Sequence, residues 1–193
     1  MAGEFLIGDG RGTNGPMSVS DSRRGNVSAK TNPRIFYSSR DDEKAYNAIM
    51  DSDYSATAGD YVFYFKNDSQ TDNVFGKHIE FHSVQDAKWR VWEVTGTAAA
   101  GTTITPSNLN LSSGLQHPAV CMGGGATITG LTLGKQVGTH RTEAGSAGNM
   151  PYEDSLILGP GKAVMVEYDT GTTGICEIDF FYHYETLAPH NAY

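Results

Sequence analysis

From residue 61 onward, apolar and polar side chains alternate in short runs, the two-residue period of a strand buried on one face. Residues 61–66 form a dense β-branched and aromatic run, closed by the turn-forming Asn67, Asp68 and Ser69. Residues 78–84 alternate cleanly, with Ile79, Phe81 and Ser83 on one face and His78, Glu80, His82 and Val84 on the other. A short connection leads into residues 89–94, so these two runs read as antiparallel neighbours. Residues 102–106 and 127–133 are weaker strands separated by a long polar loop. Residues 155–158 meet Gly159, Pro160 and Gly161, a strong turn signal, and strands follow at 163–168 and 175–184. At least seven short strands with turns between them predict an all-β chain, an antiparallel β-sandwich that is jelly-roll-like.

The beginning of the chain reads differently. Up to about Arg34 it is built from Gly, Ser, Asn, Thr and Arg with few large apolar residues and neither periodicity. This is the composition of an extended N-terminal arm whose order comes from contacts elsewhere. The division drawn here is an arm over 1–40 and a β-sandwich domain over 41–193. Residues 34–38 are the first apolar cluster and a candidate short strand. Residues 41–50 predict the one helical turn, because Asp41, Asp42 and Glu43 stand where a helix N-terminus favours negative charge. Segments 95–110 and 134–152 read as long loops and therefore as candidate contact surfaces.

Charge sharpens the division. The 193 residues carry 14 Lys+Arg and 22 Asp+Glu, a formal net of −8. Residues 1–40 hold six basic and three acidic groups, a net of +3, which leaves 8 basic and 19 acidic groups, a net of −11, for the remainder. An acidic body does not bind nucleic acid through counterion release, whereas a cationic arm points to an acidic docking surface. No apolar run approaches the roughly 18–20 residues of a membrane span. The first residues have neither the basic nor the apolar region of a secretory signal, so membrane insertion and Sec export are not expected. Cys121 and Cys176, far apart and in no C-x-x-C spacing, read as reduced, buried small hydrophobes.

Candidate chemistry is sparse. His78, Glu80 and His82 share one face of a strand, with alternate side chains about 7 Å apart. Two imidazoles and a carboxylate are metal-ligand types, with His140 or His183 as a further ligand. The same pattern also describes an ordinary polar sheet face, and the expectation is no metal and no cofactor. There is no G-x-S-x-G elbow. The glycine-rich run 122–126 lacks the Lys-Ser/Thr ending of a phosphate-binding loop and reads as a tight turn. Tyr61, Phe63, Phe65, Trp89 and Trp92 have strand spacing, which assigns them to core packing before a sugar-binding platform.

Three features resemble the β-rich decoration, or cement, proteins of tailed-bacteriophage heads. They are the arm with Ser22-Arg23-Arg24 and Thr31-Asn32-Pro33-Arg34, the central block from His78 to Gly96, and the turn-then-strand pattern from Leu158 to Tyr168. The resemblance implies a non-enzymatic virion protein, made in the host cytoplasm, that binds the capsid exterior as a homotrimer and reinforces the shell. The major capsid protein would be its partner, with no role for nucleic acid or membrane. Arg23, Arg24 and Arg34 are then the expected capsid contacts. Two rival readings use the same fold. One is a carbohydrate- or receptor-binding module of a phage tail, with its site on the loops. The other is a cupin-type metal enzyme built on His78, Glu80 and His82.

Overall fold

The computed structural model describes residues 6–8, 14–16, 39, 42–51 and 54–186. The chain divides into two units, Met1–Asn32 and Pro33–Tyr193. The first contains an antiparallel pair, β1 (Leu6–Gly8) and β2 (Asn14–Pro16), in which Ile7 faces Gly15. Arg23, Arg24, Arg34 and the 34–38 cluster lie outside the described residues.

The second unit is an antiparallel β-sandwich. Its strands are β3 (Ala45–Met50), β4 (Ser55–Ala56), β5 (Asp60–Asn67), β6 (Asp72–Ser83), β7 (Ala87–Ala99), β8 (Thr102–Ile104), β9 (Ser107–Asn108), β10 (Ala119–Gly123), β11 (Thr129–Thr142), β12 (Ala147–Leu158), β13 (Ala163–Gly171) and β14 (Gly174–Thr186). One sheet runs β12-β6-β14-β3-β9, with β4 also paired to β14, and the other runs β11-β7-β13-β5-β10-β8. Setting aside β4 and β8–β10 leaves eight principal strands, four in each sheet, arranged in the order of a jelly roll. The first principal strand, β3, pairs with the last, β14, and the second, β5, with the seventh, β13. Strands β8, β9 and β10 belong to an insertion between β7 and β11. It extends one side of the sandwich by adding β9 beside β3 and β10-β8 beside β5.

The alternation read from sequence sets the core. Ile79 and Phe81 of β6 point inward with Phe180 and Tyr182 of β14, opposite Phe63, Phe65, Trp89, Val164, Val166 and Tyr168 of the facing sheet. Aromatic edges interlock across the sandwich: Phe65 meets Phe180 at 5.0 Å, and Phe81 stacks on Trp89 at 5.2 Å. A second cluster lies on the opposite face of the β5-containing sheet. Tyr64, Val94, Ala163 and Met165 are covered there by Ile128, with Ala98 and Leu131 packed alongside. The connection from β10 back to β11 therefore seals an outer sheet face.

Three expectations need correction. Residues 41–50 do not form a helical turn, because Ala45–Met50 is a strand between β14 and β9. Tyr46, Ala48 and Met50 enter the core while Ile49 faces out, so pairing and burial override the local helix signal. Segment 134–152 is not a long loop, since most of it is β11 and β12. Segment 95–110 is likewise mostly the end of β7 with β8 and β9.

Candidate functional site

The strand period does bring His78, Glu80 and His82 to one face of β6, as their spacing predicts. The neighbouring strand adds Glu177, Asp179 and Phe181, which stand opposite His82, Glu80 and His78 in register. His78 stacks on Phe181 at 4.4 Å, and its Nε2 lies 3.4 Å from a Glu80 carboxylate oxygen. His82 Nδ1 lies 3.5 Å from Glu177. Burial lowers the His78 pKa, and the nearby Glu80 charge opposes that shift. Burial raises the Asp179 carboxyl, and the charges of Glu80 and Glu177 push it the same way.

Each imidazole is thus paired with its own carboxylate. No group of three or more His, Cys, Asp or Glu placed to hold a metal ion occurs among the described residues. The two suggested further ligands sit elsewhere. His140 stacks on Phe81, whose ring belongs to the core. His183 is fully buried further along β14, stacked on Phe75 at 5.2 Å and near Asp154 and Glu185.

A cleft opens where the insertion meets β3. About 720 Å³ in volume, it is lined by Ile49, Asp51, Tyr54, Ser55 and residues 102–105. Its inner wall is set by glycine: a Cβ on Gly123 would come 2.9 Å from Met50, so this position leaves no room for a side chain. Tyr54 is held at the rim by a 2.8 Å hydrogen bond to Asp60. Burial pushes the Asp60 carboxyl up, but hydrogen bonds from the Thr57 backbone N–H, from Tyr54 and from the Thr57 hydroxyl outweigh it and hold the pKa below its ordinary value. Burial and this carboxylate together push the Tyr54 hydroxyl up to about 12. Among the described residues, the lining of the cleft presents neutral hydroxyls beside apolar wall with the carboxylate of Asp51, which suits a neutral polar ligand better than a charged one. Residues 102–105 of this lining belong to the 95–110 segment read from sequence as a candidate contact surface.

A third polar constellation escaped the sequence reading. On the outer face of the β5-containing sheet, Asp169 accepts ion pairs from Lys88 at 2.7 Å and Arg90 at 3.0 Å. Trp92 donates its indole N–H to Glu167 at 2.7 Å. Spacing alone does not reveal this set, because β7 and β13 come together only through the register that places Arg90 beside Glu167.

Nucleophile chemistry finds no support at the cysteines. Both are buried and free. Burial raises the Cys121 thiol far above its usual range and pushes Cys176 up to about 12. Both therefore remain protonated and unreactive at neutral pH. The glycine-rich run forms a turn at the end of β10, with Gly124 and Gly125 at φ of 65° and 74°. No protein-family model matches the chain, and neither the curated proteins nor the solved structures offer a match.

Proposed function

We propose that this protein is a non-catalytic structural component of a virion, a decoration protein that binds and reinforces a bacteriophage capsid shell from outside. The observation that carries this reading is the uneven distribution of charge along the chain. Residues 1–40 carry a net +3, against −11 for the rest of the chain. A cationic segment in an otherwise acidic chain fits an acidic docking surface. Arg23, Arg24 and Arg34 act as several weak, charge-assisted contacts, each worth about 0–1 kcal/mol when exposed. Repetition over a symmetric shell turns them into avidity. The homotrimer and the major capsid protein as partner follow from the family resemblance.

The test is co-sedimentation with expanded phage heads. Full-length protein should pellet with the heads, and a chain lacking residues 2–33 should remain soluble and folded but bind weakly. Equal binding by both chains would remove the arm from the account.

The cleft beside β3 supports a second reading, a carbohydrate-binding module of a phage tail. Its hydroxyl-lined wall and 720 Å³ volume match the size of a ligand pocket. Screening against a glycan panel separates the two, since decoration requires no glycan and the module requires one.

A further inference from the structure

The segment 109–118, between β9 and β10, covers one end of the core with a histidine. His117 is 7% exposed, and neither ring nitrogen has a hydrogen-bond partner. Its ring stacks on Tyr184 at 4.4 Å and stands 5.6 Å from Tyr182 and 6.0 Å from Tyr46. The Tyr182 hydroxyl, fully buried in the same box, is also without a partner. The rest of the segment is fastened more conventionally. Leu109 donates its N–H to the Ala45 carbonyl at 2.8 Å, and Tyr46 donates its hydroxyl to the Leu115 carbonyl at 3.0 Å. The backbone carbonyl of His117 accepts from the Ala119 N–H at 2.9 Å, while its side chain is held by ring contacts.

We propose that His117 is an acid-sensitive latch: neutral, it plugs the tyrosine box and holds segment 109–118 against the sandwich, and protonated, it leaves the box and releases the segment. An imidazolium carries two N–H donors and a charge, and in the closed box neither ring nitrogen has a hydrogen-bond partner. The groups facing it are few. They are Tyr46 from β3, Tyr182 and Tyr184 from β14, and Asp72 from the start of β6. Lys44 lies 5.5 Å over the Tyr184 ring, and Glu43 accepts a hydrogen bond from Asn108 at its backbone carbonyl. Segment 109–118 has no charged residue of its own. Among the described residues, Asp72 is the carboxylate whose charge acts on the ring, and its attraction does not offset burial, which pushes His117 down to about 4.

The direction of linkage follows. The closed state disfavours the proton, so closure is strongest above the ordinary imidazole value of 6.5 and weakens as pH falls towards about 4. A shift of that size makes opening roughly twenty-fold more frequent at pH 5 than at pH 7, and roughly a hundred-fold more frequent at pH 4. Opening would uncover the tyrosine rings and so add to the apolar surface of a segment whose Leu111 is already 93% exposed.

Hydrogen exchange of residues 108–119 in the full chain, corrected for the intrinsic effect of pH, reads this directly. The expected result is the twenty-fold rise between pH 7 and pH 5 in the native protein, and a flat profile in His117→Phe. An equal rise in the variant, or no rise in the native protein, overturns the latch. Should the variant fail to fold, NMR titration of the native imidazole decides. A midpoint near 4 accompanied by loss of protection in the segment supports the latch. A midpoint near 6.5 with protection unchanged refutes it.

Discussion

Trp89 shows how one buried polar atom ties two elements together. Its ring fills the core at zero exposure, and its indole N–H donates to the Thr142 hydroxyl at 3.0 Å at the end of β11. Replacing Thr142 with Val keeps the shape but strands that N–H, which costs about 1–3 kcal/mol. Thr142→Ser should cost much less, and denaturant melts of the two variants measure the difference. Asp179 has the opposite character. Its carboxyl is raised by burial and by Glu80 and Glu177, so the folded state holds the proton more tightly than the unfolded chain does. That contribution is complete below the ordinary carboxylate value of 3.8 and is lost as pH rises through the folded value. Asp179→Asn should therefore stabilise the fold at pH 7, by less than about 1 kcal/mol for a partly solvated group. The gain should fade towards pH 3, as thermal melts across that range would reveal. At this scale the facing of His78, Glu80 and His82 was legible, because strand period alone decides it. Their pairing partners were not, because Glu177 sits almost a hundred residues away and meets His82 only through the β6–β14 register.

Among the elements, the strands most legible in sequence are those buried on one face; β3 and β10 were missed inside the sheets, and β11 and β12, read only in part, lie at edges. β6 and β14 alternate because one side of each packs on the core. β11 is an edge strand with most of its residues exposed, so selection for burial leaves no alternation to read. Its ladder with β7 is interrupted by three register shifts, between Thr129 and Leu131, Leu133 and Gln136, and Gln136 and Gly138. Such irregularity bends an edge away from unwanted pairing. β12 hides for a related reason, since Pro151 sits in an edge strand where a missing N–H is tolerated, beside a break in pairing between Pro151 and Leu156. At the first of the β11 shifts Gly130 adopts a φ of +79°, and a Cβ there would collide with the Thr97 carbonyl oxygen. Gly130→Ala combines left-handed strain with that clash, and should cost about 1–3 kcal/mol. A thermal melt of this variant checks the value, and a neutral result would mean that the ribbon of β7 and β11 relaxes freely.

For the molecule as a whole, the legible part was the fold class, because a jelly roll is the sum of many local two-residue patterns. Its strand order was not legible. The insertion that carries β8, β9 and β10 returns to both sheets over long sequence separations that no local pattern records. The binding account rests on the contrast between a +3 segment and a −11 remainder. Salt should weaken attachment by screening exposed pairs, whose range is about 8 Å at physiological ionic strength. Reversing Arg23 and Arg24 to Glu should weaken it further while leaving the melting temperature of the body unchanged. The most direct test of the account is the affinity of the full chain and of the 2–33 deletion for expanded phage heads, measured side by side at low and moderate salt. The account predicts tight, salt-sensitive binding by the full chain and at least a ten-fold loss in the deletion, which stays folded (about 1.4 kcal/mol or more). Indistinguishable binding by the two proteins, or no binding by either, would contradict it.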